Sequence, residues 1–465
     1  MVANTTPPAV LAGTRPTSTA GSAVPGHARF WLHAFILFQI ACQLLLAAAD
    51  LGAARTLVRM SAFGVSIACL VLLPGRSFKH PAIPAAAVAL ALVFISILHP
   101  DTSGLVVGVA QSMMYLSILA PLFWVARLRF GAADLKRVLI ILWAFHTLSA
   151  GVGVLQVYFP GSFQSNLSAV YAGMDEGYVN SLQITLSSGE RIFRPMGLTD
   201  TPGGAATAGF YAVLFGLACL LTFRRLWLRA LCVGSMLVGM MCLYLCQVRV
   251  VLVMTGICVV AFLAMIGWLK RLTQLAPLLA AVAGTVLAGF VLAAAVGGEA
   301  VTRRLSSLVE GSPSEVYYVN RGRFVEQTMT ESLPQYPLGA GLGRWGMMAA
   351  YFGEEAATNS EGLYVEIQWT GWLFDGGVLL MLAYPAAILV AFRTAWRIAR
   401  HPASRDNGLW LWGALLVAYN LGTFAVTFSY PIFMSQGGLE FWFLNAALFT
   451  AARGARTPPP PAPAR

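Results

Sequence analysis

Charge is what this chain has least of. Only 11% of its 465 residues are charged, against roughly 25% in ordinary soluble domains, and 58% are hydrophobic, against roughly 45–50%. A soluble globular fold is thereby excluded, because so many apolar side chains can be hidden only in lipid or against other helices. Lysine is nearly missing, being confined to Lys79, Lys136 and Lys270. The net charge of +11 does not point to nucleic acid, because the basic residues cluster between long apolar runs, as the positive-inside rule produces in a membrane protein. Metal-type spacing is absent among the seven cysteines, which all lie inside apolar stretches; Cys242 and Cys246 are i,i+4 neighbours and read as packing residues. No metal and no cofactor is expected. The first residues (1–29) are rich in Pro, Thr, Ser, Gly and Ala and precede an apolar run without a convincing cleavage site, so a disordered tail and no removable signal peptide is expected; 453–465 is a second, proline-rich tail.

What is abundant is apolar sequence in lengths of about 20 residues, enough to cross a ~30 Å hydrocarbon core. About twelve such segments are expected, near 30–49, 57–74, 82–98, 104–126, 137–158, 204–222, 226–247, 249–268, 273–297, 362–392, 407–427 and 438–452. With a cytoplasmic N-terminus the even-numbered connections should be basic, and they hold Arg76/Lys79, Arg127/Arg129/Lys136/Arg137, Arg224/Arg225/Arg229, Lys270/Arg271 and Arg393/Arg397/Arg400/Arg405. Both termini then lie inside, and sixteen of the nineteen acids fall outside or at outer helix ends, with the membrane interior nearly free of charge. Two outer connections are long, 159–203 and 298–361, and separate the N-terminal (30–158), central (204–297) and C-terminal (362–452) membrane segments. Their aromatic content argues for packed loops, and Ser312-Pro313-Ser314-Glu315 reads as a helix start, so short surface helices are expected there.

Eight arginines and no lysine belong to these loops or to outer helix ends: Arg191, Arg194, Arg249, Arg303, Arg304, Arg321, Arg323 and Arg344. A guanidinium is always charged and offers a planar fork of donors suited to phosphate and pyrophosphate. The competing reading is ordinary surface pairing with outer acids such as Glu190, Glu299, Glu326 and Glu331, and it is preferred for Arg303, Arg304 and Arg344. Arg249 stands apart because it opens an apolar helix, where charge is costly. Arg194 stands apart because its loop continues Gly197-Leu-Thr-Asp200-Thr-Pro202-Gly203-Gly204 into a small-residue helix, a turn that either cradles an anion or simply reverses the chain. Gly339-x-Gly341-x-Gly343 lacks the preceding strand and spacing of a dinucleotide site and reads as a flexible turn near the membrane surface. Glu361 is the carboxylate nearest the mouth of the next span; partial dehydration would raise its pKa toward that of a general base, and a solvated helix-start acid is the alternative.

In order along the chain, these pieces resemble the O-antigen ligase and polymerase superfamily, including the Wzy-type polysaccharide polymerases. The likeness covers roughly 190–390: Arg194-x-x-Gly197 followed by Pro202, with Gly203 where Asn is usual; Arg249 opening an apolar helix, with Val248 where Ser is common; Arg321 or Arg323 ahead of Pro337-Leu338-Gly339-Ala-Gly341-Leu-Gly343; and Asn359-Ser360-Glu361 followed by Gly371. A ligase would carry histidine at Thr358, and neither outer loop contains one. The resemblance therefore implies a polymerase: an all-α polytopic membrane protein of GT-C-like glycosyltransferase architecture in a bacterial inner membrane. It implies metal-independent transfer of an undecaprenyl-pyrophosphate-linked glycan onto a lipid-linked repeat unit, with Arg194, Arg249 and Arg321 or Arg323 on the pyrophosphate and Glu361 as acceptor base. A chain-length regulator and a flippase are the partners it implies. A ligase to lipid A or protein, or a transporter, would share the hydropathy; for a transporter two similar halves and ionisable or broken helices at the midplane are expected.

Overall fold

The computed structural model describes residues 26–48, 51–52, 54–73, 79–164, 176–186, 188–269, 271–306, 312–352 and 363–455. Asn359, Glu361 and most of the two expected tails, 1–25 and 456–465, lie outside these residues, whereas 26–29 already belong to the first helix and 453–454 to the last. The chain is a polytopic α-helical membrane protein. Its principal helices are α1 (Gly26–Ala48), α2 (Ala54–Leu72), α3 (Ile83–Ile95), α4 (Leu105–Leu119), α5 (Ala132–Tyr158), α6 (Gly204–Thr222), α7 (Leu226–Cys246), α8 (Arg249–Trp268), α9 (Leu272–Ser306), α10 (Gln368–Arg400), α11 (Leu409–Val426) and α12 (Gln436–Gly454). Among the described residues ten helices are long and apolar enough to cross a bilayer; Ile83–Leu98 is shorter, and α12, which holds Glu440 and Arg453, is not one of the ten. The end of the bundle that carries the two long connections is called the loop side here, and the opposite end the basic side.

Packing follows small residues. Helix α6 is buried along nearly its whole length and is lined by Ala205, Ala206, Ala208, Gly209 and Ala212. A Cβ added to Gly209 would sit 2.7 Å from the carbonyl oxygen of Gly239 on α7, so these two backbones touch. All seven cysteines are buried and free, as packing residues should be.

Three features depart from expectation. First, the loop ahead of α6 contains a two-stranded antiparallel hairpin, β1 (Gln183–Thr185) and β2 (Arg191–Phe193), with Ile184 opposite Ile192 and both buried. Three-residue strands closed by a Gly189 turn are too short to leave a periodic signal. Second, the bundle interior is not nearly free of ionisable groups. Asp375 is fully buried in α10, and Glu440 accepts a hydrogen bond from the Tyr211 hydroxyl, which is itself 3.0 Å from that of Tyr419 and stacked on His146. Third, α10 is broken at Gly376 and Gly377 (φ +67°). About 12 Å from its loop-side start, at ~1.5 Å per residue, the helical ladder is interrupted.

The turn 337–343 fills that break and corrects the flexible-turn expectation. Ala340 N–H donates to the Phe374 carbonyl (2.7 Å), and Val378 N–H to the Pro337 carbonyl (3.0 Å). A Cβ on Gly377 would stand 2.4 Å from that Pro337 oxygen. On the other flank Ser103 N–H donates to Leu342 O (3.0 Å) and Ser103 Oγ to Gly343 O (3.0 Å). Gly339 to Gly343 are buried between α10 and the connection ahead of α4, a position that glycine permits because backbone meets backbone there.

Candidate functional site on the loop side

The turn joining β2 to α6 carries Arg194, and it is held from below by α5. Gln156 Oε1 accepts the N–H groups of Met196 and Gly197, both at 2.8 Å, while its Nε2 donates to the Gly197 carbonyl at 3.0 Å. Ser149 Oγ accepts Leu198 N–H at 3.0 Å. Gly197 is left-handed (φ +66°), and a Cβ there would lie 2.7 Å from Ser149 Oγ and 2.8 Å from its carbonyl oxygen. The turn that contains Pro202 closes by Gly203 N–H donating to Arg194 O (3.3 Å).

This geometry carries Arg194 to the start of α8. A Cβ on Gly203 would be 3.1 Å from Val248 Cγ2 and 3.9 Å from Arg194 Cδ, so the Arg194 stem and the residue preceding Arg249 both approach Gly203. Cys246 Sγ lies 3.9 Å from Pro195 O on the same seam. Between α7 and α8 the chain turns through Gln247, a non-glycine residue at φ +55°, a conformation costing roughly 1–2 kcal/mol. Arg194 and Arg249 are both half-buried, and both make polar interactions.

Two arginines escaped the sequence reading. Arg55 and Arg59 lie one turn apart at the loop-side start of α2, and both converge on Asp200 of the Arg194 turn: Arg59 Nη2 to Oδ2 at 2.6 Å, Arg55 Nε to the same oxygen at 3.6 Å. Their side chains are 13% and 11% exposed, and that of Asp200 5%. Arg59 Nη1 also donates to the Tyr351 hydroxyl at 3.1 Å, in the short helix Gly346–Phe352 of the second connection. One guanidinium thus ties the two loops together. The available signal was an Arg-x-x-x-Arg pair, one member of which sits inside a segment drawn as apolar from 57 onward.

The second loop separates the remaining arginines. The helix start at Ser312 is present: its hydroxyl accepts Glu315 N–H at 3.2 Å. Arg321 pairs with Glu366 at 2.5 Å, and Glu366 also accepts from the Tyr364 hydroxyl. Arg323 is exposed and lies over its own neighbour Phe324, 4.9 Å from the ring centre. Arg303 forms the expected surface pair, with Glu299 at 2.9 Å, both highly exposed. Arg344 donates to Ala340 O at 3.1 Å. Tyr318 donates to Glu326, and the adjacent carboxylate holds the phenol above its ordinary pKa; burial does the same to Tyr317.

Beneath the turn 337–343, Asp375 accepts three hydrogen bonds, from Tyr115 Oη (2.7 Å), Gln111 Nε2 (3.1 Å) and Trp345 Nε1 (2.9 Å). Gly371, one turn earlier, makes room for the Trp345 ring, which an added Cβ would meet at 2.6 Å. The class defined by fold and site is therefore a multi-pass helical membrane protein whose two long connections are joined at one end through a half-buried arginine, Arg59. No family model matches the chain, and no curated protein matches it.

Proposed function

We propose that this protein polymerises a surface or extracellular polysaccharide at the periplasmic face of a bacterial inner membrane. On this reading the loop side is periplasmic and both termini are cytoplasmic. The bundle is of the GT-C-like glycosyltransferase type with twelve spans, α3 and α12 among them. The donor is a glycan on undecaprenyl pyrophosphate and the acceptor is the hydroxyl of a second lipid-linked repeat unit. The acceptor oxygen attacks the anomeric carbon, the bond to pyrophosphate breaks, and the pyrophosphate leaves with the electron pair. Because that leaving group is already anionic, it requires no protonation. Its growing charge calls for preorganised cations, usually the largest electrostatic contribution in such chemistry. Glu361 is the proposed base for the acceptor proton.

The observation that carries the reading is the approach of the Arg194 stem and of Val248, the residue before Arg249, to one point at Gly203, on a turn fixed by Gln156 and Ser149. Arg321 is the better placed of the two second-loop candidates, since it faces the 363–367 segment through Glu366, whereas Arg323 points to solvent. Deleting the gene is the direct test: single repeat units on undecaprenyl pyrophosphate with no polymer are expected. Long lipid-linked polymer that fails to reach lipid A would instead identify a ligase. Arg249→Lys should lower polymer output about 100-fold, the scale of losing one transition-state donor; normal chain length in Arg249→Lys and Arg194→Lys proteins that insert stably would refute the pyrophosphate site.

Transport of a lipid-linked sugar is the second reading. One observation favours it: a helix broken beside a fully buried carboxylate, Asp375, as in many secondary transporters. Lipid-linked repeat units trapped on the cytoplasmic leaflet of the deletion strain would select it.

A further inference from the structure

At the basic side α10 and α12 end beside each other and frame an open cavity of about 520 Å³. Thr394, Arg397 and Ile398 fall at i, i+3 and i+4 and line it from one face of α10, with His401 just past the helix end; Phe449, Ala452 and Arg453 line it from α12. Its floor is apolar, since Ile398, Phe449 and Ala452 are buried. No carboxylate among the described residues lines it, and among those residues neither Arg397 nor Arg400 is ion-paired. His401 adds a donor: its Nδ1 accepts Ala403 N–H at 3.2 Å, which in the neutral ring leaves the proton on Nε2.

Aromatic rings fix the depth. Trp396 lines the cavity and packs on Trp268, their centres 6.1 Å apart, and the Arg400 guanidinium lies 6.0 Å from the Trp268 ring; nearby, Arg271 lies over Trp410 at 5.0 Å. Tryptophans ringing one end of a bundle sit at the level of lipid headgroups. A cavity of ligand-binding size at that depth, apolar below and edged with guanidiniums above, matches a phosphodiester with an acyl-glycerol beneath it. Basic topology alone would scatter charge over the connections; it does not require three arginines and a histidine to converge on one hollow between helices.

We propose that this cavity binds the headgroup phosphate of an anionic phospholipid from the leaflet on the basic side. The proposal is independent of the chemistry on the loop side. The test uses the full chain, purified and stripped of lipid in a neutral detergent, and counts bound lipid by native mass spectrometry while phosphatidylglycerol, phosphatidylcholine or sodium phosphate is titrated. One phosphatidylglycerol should bind at least tenfold more tightly than phosphatidylcholine. Arg397→Gln with Arg400→Gln should weaken it about 25-fold, roughly fivefold for each charge removed. Arg224→Gln with Arg225→Gln, which strips an exposed basic connection elsewhere, should leave binding unchanged. Unaltered binding in the first pair, or equal loss in the second, overturns the site. Displacement of the lipid by low-millimolar phosphate overturns the lipid assignment in favour of a soluble anion. If the glutamine pair does not fold, Arg397→Lys with Arg400→Lys keeps the charge but not the fork, and must show a loss between wild type and tenfold for the proposal to stand.

Discussion

Asp200→Asn should be among the most damaging conservative changes in the protein. The carboxylate is nearly inaccessible and faces two guanidiniums, Arg59 at 2.6 Å and Arg55 at 3.6 Å. Replacing it with an amide keeps the shape and removes the charge, leaving two buried cations without their shared counter-ion. Removing one partner of a buried pair costs about 3–5 kcal/mol, far above the ~0–1 kcal/mol of exposed pairs. Arg59→Gln should cost less, about 2–3 kcal/mol, because it forfeits a charge-assisted hydrogen bond while Arg55 still serves Asp200. The double variant isolates the pair: a coupling energy of about 2 kcal/mol is expected from unfolding free energies measured in mixed micelles with increasing dodecyl sulfate. A coupling below about 0.5 kcal/mol, the scatter of independent sites, would refute the claim that Arg59 joins the two loops through this turn.

Gly197→Ala should destabilise by about 2–4 kcal/mol, from the left-handed backbone and from collision with Ser149, whereas Gly151→Ala, on the helix that carries Ser149 and with open space around it, should stay within about 1 kcal/mol; paired thermal melts decide. Arg303→Gln should change stability by less than about 0.5 kcal/mol, since its pair with Glu299 is solvated. His80, in the connection between α2 and α3, is held down to about 3 by burial. Its folded pKa lies below the unfolded value near 6.5, so above that pH the ring is neutral in both states and contributes no pH dependence. As pH falls from about 6.5 toward 3 the unfolded chain takes up a proton the folded chain refuses, and stability drops by up to ~1.4 kcal/mol per pH unit. His80→Gln should flatten an acid titration of unfolding by one proton, and an unchanged slope would show that the ring is not buried neutral.

The helical membrane architecture was legible because hydropathy is summed over twenty residues: each expected span overlaps a helix, and among the described residues ten helices are long and apolar enough to cross a bilayer. Arg194, Gly197 and Arg249 were legible because charge and turn residues at helix mouths break that pattern. Arg59 was not: its partners, Asp200 and Tyr351, are 141 and 292 residues away, and only tertiary packing brings them to one point. Gln156 was silent for the same reason, an amide on an apolar helix whose purpose is set by a loop it meets 40 residues later. The triple-glycine turn was misjudged because glycine serves mobility and close backbone approach alike, and Gly376–Gly377, the other half of that contact, lay inside a run read as uninterrupted.

The broken helix has a consequence for how the chain is assembled. When α10 first enters the bilayer, the Phe374 carbonyl can accept the Val378 N–H as in any continuous helix; the break parts them, and hydrocarbon offers no replacement partners. Ala340 and Pro337, synthesised earlier, supply them only once the loop has docked. Closure of the loop is therefore what holds this span in its broken form, and an undocked loop would leave the helix free to re-form its own Phe374–Val378 bond and straighten.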